Sequence, residues 1–335
     1  MKLRLPLLLA ATAALAAPAA FAQDLTLAEL SRRPEFLPAQ VTLKQPVKLQ
    51  GRPQLNAGQK LTLVAVRGAS VEVETPDGRS VFNVKADDTD VLAAAQAIHG
   101  KLTPAQRALT YQAVLQKKEL WPYRVKLTQT QRLSGGDLKP GEAGILIGTE
   151  GNDLLLVYEK GKFLFNVTPR DTDLLESARK LVADPNAFPS RVSEDLVGKM
   201  VNPGTQAAAA LGGAANLKYF VFYRGAGWCG PCRQFSPSLV KFYNEAKPKY
   251  GNFEFVFISG DKTPAEMRNY AKEMGFAWAS VPQQRQPEMQ IVNRLFTNLI
   301  PQLVVTDRHG NVVVDSAKIG TAAALKQLDA LVKKG

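Results

Sequence analysis

The spacing of apolar and polar residues divides the chain into two halves of different type. Before residue 190, short alternating stretches such as KLTLVAV and SVEVET predict half-buried β-strands, which glycine-containing turns separate. From residue 217 onwards, continuous apolar runs such as YFVFY at 219–223 and FEFVFISG at 253–260 predict strands buried on both faces. Helical segments alternate with these runs, and the order β-α-β-α-β-β-α predicts an α/β domain.

The front half contains a tandem repeat. The segment VFNVKADDTDVL at 81–92 recurs as LFNVTPRDTDLL at 164–175, and three glycines recur at an offset of 83 positions: Gly58, Gly68 and Gly78 as Gly141, Gly151 and Gly161. Helices are predicted near 89–98 and 172–183, and a third helix at 104–119 joins the repeats. The aspartates of the repeated Asp-Thr-Asp are expected to cap the helix starts. They lack the glycine and the distant glutamate of a calcium loop, so no metal site is expected there.

These patterns predict a multi-domain chain. We expect a signal peptide at 1–22, a first repeat at 23–103, a second repeat at 104–184, a linker at 185–215 and an α/β domain at 216–335. Each repeat combines a small β-barrel with a helix, and in outline it resembles the SH3-like barrels of bacterial envelope proteins. The repeats are expected to serve in binding, spacing or dimerisation, and a purely structural module is the alternative.

The N-terminal residues predict export. Lys2 and Arg4 precede an apolar run of 11 residues at 7–17, which is too short to span a membrane as a helix. The small residues of AFA at 20–22 then predict cleavage after Ala22. We expect a soluble protein exported to a bacterial periplasm. The net charge of +12 comes from scattered Lys and Arg residues, and export argues against a nucleic-acid partner.

The only two cysteines, Cys229 and Cys232, are candidates for redox chemistry. A disulfide between them closes a loop too short to stabilise the fold appreciably. Cys229 is expected at a helix N-terminus, which favours its thiolate, and Cys232 is expected one turn further in as the resolving thiol. A structural disulfide is one alternative. A zinc site is another, but it needs four ligands, and His99 and His309 lie far from the pair in sequence.

The residues around this pair resemble the active site of the thioredoxin superfamily. WCGPC at 228–232 is followed by RQFSP, and LIPQLVV at 299–305 resembles the family's second signature. The longer pattern is most like the tryparedoxin and nucleoredoxin branch. The resemblance implies a thioredoxin fold in which Pro301 is cis and lies against the cysteine pair. It also implies supporting or substrate-binding roles for the neighbouring residues Trp228, Gly230, Pro231, Ile300 and Gln302.

Two positions depart from the thioredoxin pattern. Thioredoxin has a buried aspartate six residues before its first active-site cysteine, where this chain has Tyr223. The resemblance therefore implies that proton transfer to the resolving cysteine relies on water. The usual threonine after the cis-proline is Gln302, so substrate specificity does not carry over from the family.

The function we expect is an exported thiol–disulfide oxidoreductase that reduces disulfides in other proteins through Cys229 and Cys232. The Cys-Gly-Pro-Cys sequence resembles that of reducing thioredoxins, which implies this direction. The expected partners are disulfide-containing proteins, a membrane or periplasmic thiol that donates electrons, and an envelope partner of the repeats. No cofactor is expected. The alternatives are a disulfide oxidase or isomerase, and an envelope binding or scaffold protein in which the repeats carry the main function.

Overall fold

The first module is built around a four-stranded antiparallel sheet. We describe a computed structural model, which defines residues 25–48, 54–75, 78, 80–160, 162–211 and 216–334. The predicted signal peptide lies outside these residues. The strands follow chain order in the sheet: β1 (Gln40–Thr42), β2 (Lys60–Arg67), β3 (Ser70–Glu74) and β4 (Val81–Lys85). The helices α1 (Leu27–Arg32) and α2 (Val91–Gly100) contribute Leu30 and Ala95 to the core of this module.

The second module has the same plan with one addition. Its elements are α3 (Pro104–Arg107), α4 (Tyr111–Leu115), β5 (Arg124–Lys126), β6 (Gln131–Leu133), β7 (Gly136–Leu138), β8 (Ala143–Glu150), β9 (Asp153–Tyr158), β10 (Phe163–Val167) and α5 (Leu174–Ala183). The main sheet has the order β10-β9-β8-β5, and β6 and β7 form a separate two-stranded ribbon. The single helix predicted at 104–119 is wrong, because the Thr110 hydroxyl accepts the N–H of Ala113 and begins a new helix there.

The two modules correspond element by element. Strands β2 and β8 begin at Lys60 and Ala143, and helices α2 and α5 begin at Val91 and Leu174, each pair 83 positions apart. The described residues of each module therefore share an antiparallel sheet followed by a helix. An SH3-like architecture for the modules stays a prediction.

The repeated Asp-Thr-Asp segment ties each helix to the first strand of its sheet. The Thr42 N–H donates to the Asp90 carboxylate at 2.7 Å, and the Lys126 N–H donates to Asp173 at 2.8 Å. The prediction that these aspartates cap the helices is wrong, because neither side chain accepts a hydrogen bond from its helix. The threonine hydroxyls take that role, since Thr89 accepts the first helical N–H at 3.3 Å.

The C-terminal domain is an α/β fold with a five-stranded mixed sheet. Its elements are β11 (Tyr219–Gly225), α7 (Gly230–Tyr250), β12 (Phe253–Ser259), α8 (Pro264–Met274), β13 (Ala279–Val281), β14 (Gln302–Asp307), β15 (Val312–Asp315), α9 (Ser316–Ile319) and α10 (Thr321–Lys333). The strand order is β13-β12-β11-β14-β15. The first three strands are parallel, and β14 and β15 run antiparallel to their neighbours.

Aromatic side chains fill one face of this sheet. Trp278 is only 2% exposed and stacks on Phe276 with ring centroids 4.8 Å apart. Phe255 contacts the same indole at 4.9 Å. The central strands are buried on both faces, as their continuous apolar sequence predicts.

Part of the segment predicted as a linker packs against the C-terminal domain. Helix α6 (Arg191–Leu196) buries Val192 and Leu196 against Phe220 and Phe222 of β11. Further along, Val201 forms a bridge to Ser280. The linker interpretation therefore needs correction for this stretch, because its apolar residues complete the second face of the sheet. Residues 212–215 of the predicted linker lie outside the described residues.

The second module and the C-terminal domain belong to one compact unit, residues 103–335. Within it, the guanidinium of Arg191 is buried, donates to the Leu146 carbonyl and lies 5.3 Å from the Trp121 ring. Among the described residues, we find no helix that combines the length and the apolar character needed to cross a bilayer.

Candidate active site

The cysteine pair lies where β11 ends and α7 begins. Cys229 and Cys232 form a disulfide, with their Cα atoms 5.2 Å apart. Cys229 is 6% exposed, and Cys232 is fully buried in the core of the domain. The two thiols therefore differ in access, and Cys229 is the one that a large substrate can approach.

The first turn of α7 is directed at the Cys229 sulfur. Cys229 is the N-cap residue of this helix, and its Sγ lies 3.2 Å from the Cys232 backbone nitrogen, whose N–H points at it. Pro231 lies in the first turn of the helix, where backbone N–H groups have no intrahelical acceptor. The N–H that proline lacks therefore costs no hydrogen bond there. Gly230 has open space where a side chain would begin. Free N–H groups at a helix N-terminus stabilise an anion, so this geometry favours a thiolate at Cys229 once the disulfide is reduced.

The loop before β14 faces the same sulfur. The Ile300–Pro301 peptide bond is cis, and the Ile300 carbonyl oxygen lies 4.0 Å from the Cys229 Sγ. The neighbouring Leu299 side chain is 73% exposed. The structure therefore brings Ile300 and Pro301 to the cysteine pair and sets an exposed apolar side chain beside them.

Gln302 supports this loop from inside the domain. It is 1% exposed, and its side-chain oxygen accepts the Thr297 N–H at 2.9 Å and the Thr297 hydroxyl at 3.0 Å. Its amide nitrogen donates to Asp315 at 3.1 Å. The polar atoms of Gln302 are buried and engaged within the domain, which is consistent with a supporting role, and a contact with substrate stays a prediction.

Trp228 is the exposed aromatic residue of the site. Its side chain is 66% exposed, and the indole Nε1–H donates to the Gly260 carbonyl at 3.3 Å. One end of the ring is thus fixed to the end of β12, while most of its apolar surface is left open to solvent. Such an arrangement offers a flat apolar surface to a substrate without ordering a flexible side chain.

A network of hydroxyl groups lies around Tyr223, the residue that stands where thioredoxin has a buried aspartate. The Tyr223 hydroxyl lies 2.9 Å from the Ser236 hydroxyl and donates to the Cys232 carbonyl at 3.3 Å. The Tyr270 hydroxyl lies 2.7 Å from Ser236. Burial raises the pKa of Tyr223 well above its ordinary range, and it also raises the pKa of Tyr270, so both phenols stay protonated at neutral pH.

Sequence reasoning missed Asp261, a buried acid behind the active-site loop. It is 2% exposed and accepts the Gly227 N–H at 2.7 Å. Burial raises the pKa of this carboxyl above its ordinary value. The only signal in the sequence is an aspartate two residues after the end of a fully buried strand, which marks the same edge of the sheet as the cysteines.

The described residues contain no cluster of His, Cys, Asp and Glu side chains that could hold a metal ion. His309 lies in the turn after β14, where its backbone N–H donates to Asp307 at 2.9 Å.

Comparisons with known proteins match the C-terminal domain. Residues 216–312 match the family model described as thioredoxin-like. The chain is 41% identical over 92 residues to probable nucleoredoxin 1 of Arabidopsis thaliana, covering 27% of this chain and 15% of that protein. It is 33% identical over 98 residues to human nucleoredoxin, covering 29% and 22%. The match thus spans less than a quarter of either relative. Native tryparedoxin I from Crithidia fasciculata is 28% identical over 40% of this chain and 90% of its own, with a TM-score of 0.33.

Proposed function

We propose, on the premise that the C-terminal domain is a thioredoxin-like domain of the tryparedoxin and nucleoredoxin branch, that the chain is an exported protein-disulfide reductase. Membership of this branch supports the general class of thiol oxidoreductase. The direction of electron flow, the compartment and the partners are our proposal.

The proposed reaction is a two-electron exchange of disulfides. The Cys229 thiolate attacks one sulfur of a substrate disulfide, forms a mixed disulfide and releases the other substrate sulfur as a thiolate, which takes up a proton. The Cys232 thiol then loses its proton and attacks the Cys229 sulfur. This step frees the second substrate sulfur and leaves the Cys229–Cys232 disulfide. A thiol donor of the envelope returns two electrons to the pair, and no further cofactor enters.

One observation carries this proposal: the first turn of α7 points the Cys232 N–H at the Cys229 sulfur, 3.2 Å away. A thiolate there gains a hydrogen bond and the favourable end of the helix dipole, which a merely structural disulfide does not need. The neighbouring loop at Ile300 and Pro301 supplies backbone beside that sulfur, where an extended substrate segment can pair.

The deciding experiment is the reduction potential of the pair. The purified protein is equilibrated in glutathione and dithiothreitol buffers, and free thiols are trapped and counted by mass spectrometry. A value near about −270 mV supports a reductase, whereas one near about −120 mV identifies an oxidase and overturns the direction. A pair that does not exchange at all in the folded protein overturns the redox function itself.

The compartment is tested separately. Cell fractionation with mass spectrometry of the mature N-terminus is expected to find the protein in the periplasm, beginning at Gln23. Recovery of the intact chain from the cytoplasm would contradict export. It would also contradict the proposed envelope thiol donor and the exported substrates.

Binding to the envelope is a second candidate function, carried by the repeated modules. Their edge strands β4 and β10 expose apolar side chains at equivalent positions, with Val81 52% exposed and Leu164 53% exposed. We propose that these SH3-like modules attach the reductase to the cell wall. Co-sedimentation with purified peptidoglycan is expected to fall in the double variant Val81→Ser, Leu164→Ser, while disulfide reduction in solution stays unchanged. If the double variant and the wild type sediment equally, these two side chains do not contribute to binding of the cell wall.

A further inference from the structure

The buried carboxylate of Asp261 binds the loop that leads into the cysteine pair. The Asp261 side chain accepts the Gly227 N–H through Oδ1 at 2.7 Å and the Ser259 hydroxyl through Oδ2 at 2.9 Å. None of the ion pairs found among the described residues includes Asp261, which is 2% exposed. Its negative charge is therefore stabilised only by hydrogen bonds, and it acts electrostatically on the neighbouring groups.

The contact between this carboxylate and the loop is close. A methyl group at Gly227 would lie 3.4 Å from Asp261 Oδ1 and 3.1 Å from the Tyr270 Cβ. The Gly227 carbonyl accepts a hydrogen bond from Arg233 of α7 at 3.0 Å. The next residue, Trp228, is held by the Gly260 carbonyl. The residues Gly260 and Asp261 thus fix both positions immediately before Cys229.

The influence of Asp261 extends to the base of α7. Burial is the main cause that raises the pKa of Tyr223 from β11 and of Tyr270 from α8, and the negative charge of Asp261 acts in the same direction. The hydroxyls of these two residues meet at Ser236, and Tyr223 donates to the Cys232 carbonyl at 3.3 Å. Glu266 of α8 is the other carboxylate that acts on Asp261, and the guanidinium of Arg233, which binds the Gly227 carbonyl, pairs with Glu273.

We infer that Asp261 is a positioning residue that sets the redox balance of the Cys229–Cys232 pair, in place of the acid that is absent at Tyr223. The inference rests on the proposed redox function. The reduced pair carries a thiolate at Cys229, whereas the disulfide carries no charge. The negative charge of Asp261 therefore disfavours the reduced form and makes the pair a stronger electron donor.

The matching perturbation is Asp261→Asn. Asparagine keeps the size of the side chain, its oxygen can still accept the Gly227 N–H, and its amide can donate to the Ser259 hydroxyl. The hydrogen bond with Ser259 reverses its direction, while the contact with Gly227 and the side-chain volume are kept and the negative charge is lost. We expect the equilibrium constant against glutathione to shift about three- to tenfold towards the reduced pair, and the alkylation of Cys229 by iodoacetamide to titrate at lower pH than in the wild type.

Ser259→Ala is the control, because it removes a hydrogen bond to Asp261 but leaves the charge in place. Its equilibrium constant is expected to stay within about twofold of the wild type. An Asp261→Asn protein with wild-type equilibrium and wild-type alkylation profile would overturn the inference while leaving the redox function intact. A wild-type pair that never exchanges with glutathione would overturn both.

A second measurement with Asp261 left in place decides the matter if Asp261→Asn does not fold. The alkylation rate of Cys229 against pH, measured in Cys232→Ser so that the second thiol does not contribute, is expected to need two proton-binding steps, because the carboxyl of Asp261 and the Cys229 thiol influence each other. A profile that fits one proton, independent of any second group, would exclude the proposed coupling.

Discussion

Replacement of Asp195 should strongly destabilise the unit formed by residues 103–335. This carboxylate is fully buried, and it accepts hydrogen bonds from the Tyr123 hydroxyl at 2.9 Å and from the backbone N–H groups of Gln290, Ile291 and Val292 at 2.7, 2.9 and 2.7 Å. In Asp195→Ala these donors lose their acceptor. The N–H groups of Ile291 and Val292 and the Tyr123 hydroxyl lie where water has little access.

The loss of stability in Asp195→Ala follows from the number of buried donors that lose their acceptor. Each buried donor left without a partner costs about 1–3 kcal/mol, so three of them predict a loss of about 3–9 kcal/mol. Tyr123→Phe is the matched control. It removes one donor and leaves the carboxylate with its three backbone partners, so it should cost only about 1–2 kcal/mol. Asp195→Asn keeps the volume and should fall between the two, which separates lost hydrogen bonds from an empty space.

Tryptophan fluorescence during urea unfolding is the assay. The three tryptophans, Trp121, Trp228 and Trp278, all lie within residues 103–335, so their emission reports on this unit and not on the first module. The reasoning is refuted if Asp195→Ala unfolds within about 1 kcal/mol of the wild type, or if Tyr123→Phe is as costly as Asp195→Ala.

Four further outcomes are expected. Cys232→Ser should accumulate a mixed disulfide with substrate, visible on non-reducing gels, whereas Cys229→Ser should not; trapping by both or by neither would contradict the assigned order of attack. Trp228→Ala should leave stability within about 0.5 kcal/mol but lower kcat/KM for the reduction of a protein disulfide, because the side chain is 66% exposed beside Cys229. Trp278→Ala should cost about 3–5 kcal/mol in the same unfolding assay, and a loss below about 1 kcal/mol would contradict its place in the core. Burial lowers the pKa of His309, so the unfolded chain binds its proton first as the pH falls below about 6.5. Stability should therefore fall between about pH 7.5 and about pH 5.5, and less steeply in His309→Gln.

The C-terminal domain was predictable because its elements are strongly patterned. Continuous apolar strands, proline in the first turn of α8 and the Cys-Gly-Pro-Cys segment each restrict the local structure to few possibilities. The site residues that were predicted from the sequence all belong to two contiguous segments, at 228–232 and 300–302. Asp261 was missed because its partner Gly227 lies on a different strand connection, and only the parallel pairing of β11 with β12 brings them together.

The errors in the front half have a common physical cause, which is competition between partners for one polar group. Asp90 and Asp173 were expected to cap helices, yet tertiary contacts with β1 and β5 take their carboxylates instead. Likewise, the local signal of Thr110 outweighs a continuous helical propensity and splits the predicted helix at 104–119. For the two aspartates the fold decided the partner, whereas for Thr110 a local hydrogen bond decided it.

Buried contacts connect the second module to the segment that leads to the candidate active site. Tyr123 packs with Ile145, Val157 and Ile291 in one apolar cluster, and its hydroxyl binds Asp195. Asp195 in turn holds the backbone at 290–292, which begins the segment that leads to Ile300 and Pro301 beside Cys229. A module attached by a free linker would make no such contacts. Because the contacts are made by buried side chains, loss of the second module would expose Ile291 and leave the segment before Pro301 without part of its packing.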